Sequence, residues 1–226
     1  MTIDVTSSLG DIVAADSRRG RVLEKFGLDY CCNGHRSLVD AAREAGVDVA
    51  EVVAAMNFPD PAPVANAPLA NAALAHDIVD THHAFMWEEM PRLQALVDKV
   101  AGVHAAGHPE LTAVQALYTR AVAELDPHMT REERSVFPAI TRMEKAGQEQ
   151  ASAELLAQIN TLIQEHQAVG DIFKEINELT TGYAVPADAC GSYTMMLTAL
   201  KEMEYDLHEH IHKENNILFP QVLKQI

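Results

Sequence analysis

Cysteine is scarce in this chain: three among 226 residues, two of them adjacent. That is too few for a disulfide framework and fits a reducing compartment. Basic residues are scarce as well, 17 Lys and Arg against 33 Asp and Glu, giving a formal net charge of −16. Phosphate backbones and anionic lipids need Lys and Arg to replace their counterions, so nucleic acid and membrane surfaces are excluded as main partners. No apolar run approaches the ~20 residues that span a bilayer. The opening MTIDVTSSLGDIVAADSRRG lacks the basic start and apolar stretch of a secretory signal. Together these absences predict a soluble, cytoplasmic chain. Aromatic residues make up only 5%, and the abundant Ala, Leu and Met suit close helix packing. Period-two alternation is missing over any useful length, so strands are not expected.

What the chain does have is histidine. Of eleven, only His35 lies in the first 75 residues. The other ten fall in the remaining two-thirds, a distribution that directs attention to metal.

The segment from Pro59 to Ala73 holds Pro59, Pro61, Pro63 and Pro68. Proline at that density cannot continue a helix, so 59–73 reads as a linker. Before it, residues 1–58 read as a small helical unit with a turn-rich DYCCNGHRS in the middle, Leu38–Ala45 after it, and Val49–Met56 beyond Gly46. After it, residues 74–226 give four long helical patterns: about 74–103, 109–145, 150–179, and from beyond Pro186 to about 224. Pro109 suits a first helical turn and Gly147 a C-terminal cap. Short connections favour antiparallel neighbours, so the expected fold is all-α, an up-down-up-down four-helix bundle preceded by a small helical domain. Pro91 and Pro127 fall inside the first two helices, where a kink or local irregularity is expected.

Two segments on the second and fourth helices match: His128-Met-Thr-Arg-Glu132-Glu-Arg-Ser-Val-Phe-Pro138 and His210-Ile-His-Lys-Glu214-Asn-Asn-Ile-Leu-Phe-Pro220. Both read H-x-x-[R/K]-E-x-x-x-x-F-P. His and Glu at i, i+4 share one helix face. A single such pair is commonly a surface ion pair. Two matched copies on helices of one bundle supply two imidazoles and two carboxylates to a shared interior, as in carboxylate-bridged di-iron bundles.

Axial height selects the partners. His128 lies about 20 residues from each flanking turn, roughly 30 Å at 1.5 Å per residue. On the first helix His82 and His83 lie at that height, and His76 is one to two turns too far. On the third helix His166 qualifies. Four imidazoles, with Glu132 and Glu214 as bridges, suit two irons with open positions. His104 is roughly 30 Å beyond His83 and stands outside the set. His108 reads as a solvated loop residue, and His208 and His212 as surface or outer-layer groups on other faces. Glu124, one turn before His128, and Glu165, beside His166, are candidates to move protons near the metals or line an access path. Glu133 reads as surface, and Cys190 as a packed thiol.

DYCCNGHRSL is similar to the Asp-Tyr-Cys-Cys-Gly-Gly signature that opens the repair-of-iron-centres proteins. HHAFMWEEMPRL, the two H-x-x-[R/K]-E…FP motifs, EHQAVG, PADAC and ENNILFP resemble the hemerythrin-like di-iron domain of the same family. The resemblance covers nearly the whole chain, in order, with Asn33 in place of the first glycine.

Counting back from Pro91 in the family pattern selects His83 over His82. The ligands it implies are His83, His128, Glu132, His166, His210 and Glu214. The implied cofactor is two non-haem iron ions, carboxylate-bridged, with an oxo or hydroxo bridge. The implied function is repair of iron–sulfur clusters damaged by nitrosative or oxidative stress, by donating iron. Its partners would be damaged iron–sulfur proteins or a cluster-assembly scaffold, with nitric oxide or oxygen as small ligands and the chain as monomer or homodimer. The alternatives are a nitric oxide reductase or an oxygen- or nitric-oxide-binding sensor. Cys31 and Cys32 are a candidate redox pair, since adjacent cysteines form a strained ring when joined and remain available for thiol chemistry.

Overall fold

The computed structural model describes residues 3–58, 70–148 and 150–223. Among these residues every regular element is helical, apart from an isolated bridge between Ser8 and Ser37. The N-terminal part holds α1 (Leu9–Ala15), α2 (Gly20–Lys25), α3 (Leu38–Ala45) and α4 (Val49–Ala55). Ser8 and Ser37 cap α1 and α3 in the same way. Each hydroxyl accepts the N–H three residues on and donates to that residue's carboxylate, Asp11 or Asp40.

The bundle follows in four arms. The first is α5 (Asn71–Ile78) and α6 (Ala84–His104), joined by a π-helical turn over Val79–His83. The second is α7 (Glu110–Arg131) and α8 (Phe137–Lys145), joined by a π turn over Glu132–Val136. The third is uninterrupted α9 (Ala153–Leu179). The fourth is α10 (Gly191–His212) and α11 (Phe219–Leu223), joined by a π turn over Lys213–Leu218. Contacts run α6 to α7, α7 to α9, α9 to α10 and α10 to α6, the closed square of an antiparallel bundle.

Several expectations shift. Residues 59–69 of the linker lie outside the described residues, as do 224–226, and Asn71–Ala73 already belong to α5. The fourth arm begins at Gly191, beyond Pro186 as expected, after a turn that closes from Ala189 N–H to the Pro186 carbonyl. Pro91 and Pro127 both lie inside continuous α-helix on exposed faces.

The irregularities fall instead at the π turns, and the repeated Phe-Pro explains two of them. Pro138 and Pro220 have no N–H for the carbonyls of Arg134 and Asn216, four residues back and inside the two π turns. In the third, the Thr81 hydroxyl donates to the Asp77 carbonyl. Single π turns inside α-helices mark functional positions, and these three carry His83, Glu132 and Glu214.

The core is in two parts. One includes Met86, Leu125, Met129, Phe173 and Leu207 and runs into the N-terminal helices through Leu9, Leu23 and Leu38. The other packs Ile78, Phe137, Ile140, Ile159, Leu162 and Phe219 at the opposite end. Each such side chain contributes about 1.5–3 kcal/mol by leaving water. Between the two lies a buried layer of histidine and glutamate.

Candidate metal centre

Two buried charges of one sign are costly in an apolar interior unless something compensates them. Glu132 and Glu214 are both 0% exposed. Neither oxygen of Glu132 has a hydrogen-bond donor, and nor does Glu214 Oε2. What faces them is imidazole nitrogen. Glu132 Oε2 lies 3.4 Å from His83 Nε2, and Oε1 lies 3.3 Å from His128 Nε2. Glu214 Oε1 lies 3.1 Å from His210 Nε2, and Oε2 lies 3.0 Å from His166 Nε2. The imidazoles pair off as well: His83 and His210 face each other Nε2 to Nε2 at 3.1 Å, and His128 and His166 at 3.0 Å.

Two four-donor groups result, His83–Glu132–His210–Glu214 and His128–Glu132–His166–Glu214, with both carboxylates common to the two. Facing nitrogens and donorless carboxylate oxygens are what cations satisfy, so the donor set fits two metal ions sharing two carboxylates.

Electrostatics agree. Burial and the neighbouring Glu214 favour a protonated Glu132, but His128 and His83 overrule them and hold it below its ordinary value. Burial likewise opposes ionisation of Glu214, and His210 and His166 hold it well below. Burial works against a charge on His128, yet Glu132 and Glu165 raise it to about 10. Without a cation, protonated imidazole compensates the carboxylates.

An outer layer aims the rings. His83 Nδ1 lies 3.0 Å from Glu133 Oε1, which also accepts from Trp87 Nε1. His128 Nδ1 lies 2.8 Å from Glu165 Oε2, and Arg131 donates to both Glu165 oxygens. His166 Nδ1 lies 2.9 Å from Asn215 Oδ1. Each acceptor places the ring proton on Nδ1 and leaves the Nε2 lone pair for the centre. Phe137 stacks on His83 and Phe219 on His166. The repeat therefore carries more than its ligands. In each copy the residue after the shared glutamate holds a neighbouring helix's histidine, and the phenylalanine packs on that same ring.

The hemerythrin HHE cation binding domain matches residues 74–222, and a domain of unknown function (DUF542) matches residues 5–59. The iron–sulfur cluster repair protein ScdA of Staphylococcus haemolyticus is 30% identical over 94% of this chain and 96% of its own length. The chain belongs to the repair-of-iron-centres family. Other relatives include the iron–sulfur cluster repair proteins YtfE of Musicola paradisiaca, 32% identical, and of Yersinia pestis, 31% identical. Each covers 96% of both chains.

In this member of the family the remaining sequence candidates sort as follows. Glu165 is part of the centre's outer layer, and Glu124 is not: it pairs with Arg120 on a solvent face. Glu133 is no surface residue, since it holds His83. The repeat's E-[E/N] step was the signal for it and for Asn215. His82 points its Nδ1 at Asp206, 2.9 Å away, and stacks on His210. His208 and His212 are neither surface nor outer-layer groups. They meet the N-terminal part, His208 at Glu24 of α2 and His212 edge-on to Tyr30 in the turn before α3.

The Cys31–Cys32 turn sits against the same face. Asn216 Nδ2, two residues past Glu214, donates to the carbonyls of Tyr30 and Cys31. Cys32 Sγ would lie 3.7 Å from a Cβ placed on Gly170, one turn beyond His166. The two sulfurs are 3.7 Å apart and unbonded. The hydrogen bond to Cys32, burial and the nearby Asp29 all push the Cys31 thiol well above its ordinary range. Asn33 stands where the family signature has glycine, and its amide donates to Asp29 across the turn. The position that must be glycine is Gly34, where a Cβ would collide with Asn216 and the Tyr30 carbonyl.

Proposed function

We propose that this chain is a di-iron protein that repairs iron–sulfur clusters, with the repair activity that its relatives' names carry. The observation that supports it best is the sharing of Glu132 and Glu214 between two histidine pairs, with carboxylate oxygens that no protein donor satisfies. His83 and His210 would hold one iron, and His128 and His166 the other, with both glutamates bridging. Bound there, iron supplies one-electron redox chemistry and open positions for a small ligand such as nitric oxide or oxygen.

The chain's own residues do the rest. Glu133, Glu165 and Asn215 fix the ring orientations. The two apolar layers keep bulk water from the carboxylates. In the iron-free state His128, raised to about 10, carries a proton that offsets the buried carboxylates, and the same carboxylates push His83 upward too, so iron can be given up as cargo without leaving the glutamates uncompensated. Such exchange of protons for metal makes loading pH-dependent. The acidic chain surface favours holding cations nearby. The recipient would be a damaged iron–sulfur protein or an assembly scaffold. The Cys31–Cys32 turn, docked beside the centre, is the candidate redox contact.

Elemental analysis and Mössbauer spectroscopy of protein purified without oxygen test the loading, and incubation with a cluster-deficient acceptor tests the transfer. The expected result is two irons per chain, with iron passing to the acceptor and its activity returning. Loaded protein that transfers no iron, but turns over nitric oxide with an electron donor or forms a stable oxygen adduct, would replace this reading with a reductase or a sensor.

A further inference from the structure

Three residues unused by the buried centre, His104, His108 and Cys190, meet at the other end of the bundle. His104 ends α6, about 30 Å along the helix from His83. The His108 N–H donates to the His104 carbonyl, 2.9 Å away, so one helical turn continues and H-x-x-x-H puts both imidazoles on one face. Both rings pack on buried Tyr193 in the first turn of α10, with centroids 5.4 and 5.3 Å from it. The turn before α10 brings Asp188 and exposed Cys190 to the same place.

The donors are already paired. Cys190 Sγ lies 3.2 Å from His104 Nε2. His108 Nε2 lies 3.2 Å from both oxygens of Asp188. Two ligands of one tetrahedral zinc ion, at about 2.0–2.3 Å from it, stand roughly 3.3–3.6 Å apart, so each pair is close to the spacing that a shared cation sets. Glu110 Oε1, 3.2 Å from His108 Nδ1, occupies the other ring nitrogen and leaves Nε2 for the cation. The two ring centroids are 6.5 Å apart, so the donors stand as two separate pairs, and one ion spanning both requires the imidazoles to turn toward each other on Tyr193 and the exposed Asp188 and Cys190 side chains to rotate with them. One thiolate, two imidazoles and a carboxylate form a donor set for zinc or a similar borderline divalent cation, unlike the sulfur-free centre inside the bundle.

We propose that His104, His108, Asp188 and Cys190 form a second, solvent-facing divalent-cation site at the end of the bundle remote from the buried centre.

The test is titration of the iron-loaded protein with Co2+ under argon, following thiolate-to-cobalt charge transfer and the tetrahedral ligand-field bands, with iron content measured before and after. The buried centre holds no sulfur, so a thiolate band reports a cysteine. The expected result is one cobalt per chain with a thiolate band, unchanged iron, and displacement by Zn2+. Cys190→Ser should abolish the band, and His104→Ala or His108→Ala should weaken binding at least about 10-fold. Cys31→Ser and Cys32→Ser should leave it intact. Absence of a thiolate band overturns the proposal. So does a band that survives Cys190→Ser, or one lost in Cys31→Ser, which would place the ion at Asp29, Cys31 and Cys32 instead. Circular dichroism of each variant separates lost binding from lost fold.

Discussion

Asn215 Oδ1 lies 2.9 Å from His166 Nδ1, and Glu133 in the other copy of the repeat stands in the same relation to His83 at 3.0 Å. One position after each shared glutamate, a side chain reaches across to a histidine of the neighbouring helix. The two halves of the centre are thus aimed by the same device.

Removing that device should loosen the metal without unfolding the bundle. Glu133→Ala and Asn215→Ala are each expected to lower iron affinity about 10- to 100-fold, measured by competition with a chromophoric chelator. Glu133→Ala should also change Trp87 fluorescence, because the indole N–H loses its acceptor. Unchanged affinity in both variants would remove the aiming role.

Because Glu132 and Glu214 each serve both donor groups, neither metal position should survive the loss of one carboxylate. Glu132→Gln or Glu214→Gln should reduce bound iron at both positions together, whereas a variant affecting a single position would retain about half. Metal binding stabilises the folded state by mass action, about 2.7 kcal/mol at a hundredfold excess over Kd. Chelation should lower the unfolding midpoint of the parent protein and leave that of either variant nearly unmoved, as scanning calorimetry would show.

Asn216 ties the cysteine turn to the fourth arm by two hydrogen bonds to backbone carbonyls. Asn216→Leu should cost about 1–3 kcal/mol and free the N-terminal helices. Hydrogen exchange should rise across residues 28–36 while iron content holds. Gly34→Ala is expected to do the same by collision.

Acid sensitivity of that turn follows from Asp29. Burial opposes its charge, yet the Asn33 amide and the backbone N–H groups of Cys31 and Cys32 hold its carboxyl below the ordinary 3.8. A carboxyl with a depressed folded pKa contributes stability above its unfolded pKa and loses that contribution as pH falls through the folded value. Asp29→Asn should therefore flatten the stability profile below about pH 4. Its cost at neutral pH should be about 1 kcal/mol or less, because the group is partly screened by solvent. Equilibrium denaturation across pH checks both.

Thiol reactivity should follow exposure. Cys190 is exposed, Cys32 half-buried, and Cys31 buried with its thiol pushed up. Alkylation followed by peptide mapping should label Cys190 first and Cys31 last. Labelling of Cys31 ahead of Cys190 would contradict that order.

The all-α bundle and four of the converging donors, His128, Glu132, His210 and Glu214, were legible in the sequence because their signals are local, whereas His166 followed from axial height and His83 was separated from His82 only by the family resemblance. His and Glu at i, i+4 share a face in any helix, and a matched second copy marks a pair. Helix ends were legible where a φ-positive glycine wrote them, as at Gly46 and Gly147. Glu133 and Cys190 were misplaced because nothing local marks them. A carboxylate next to Glu132 looks the same whether it faces water or a histidine of another helix. Cys190 and His104 are separated by 86 residues that only the bundle brings back together.

The sequence by itself determined which residues could ligate a metal and on which face of each helix they stand, through a 3.6-residue period that needs no partner. The tertiary structure alone decided which imidazole each acceptor holds, where the π turns let His83, Glu132 and Glu214 enter one layer, and that the cysteine turn rests on Asn216 beside them. Those outcomes depend on how four helices are rotated and staggered against one another, and packing across helices sets that.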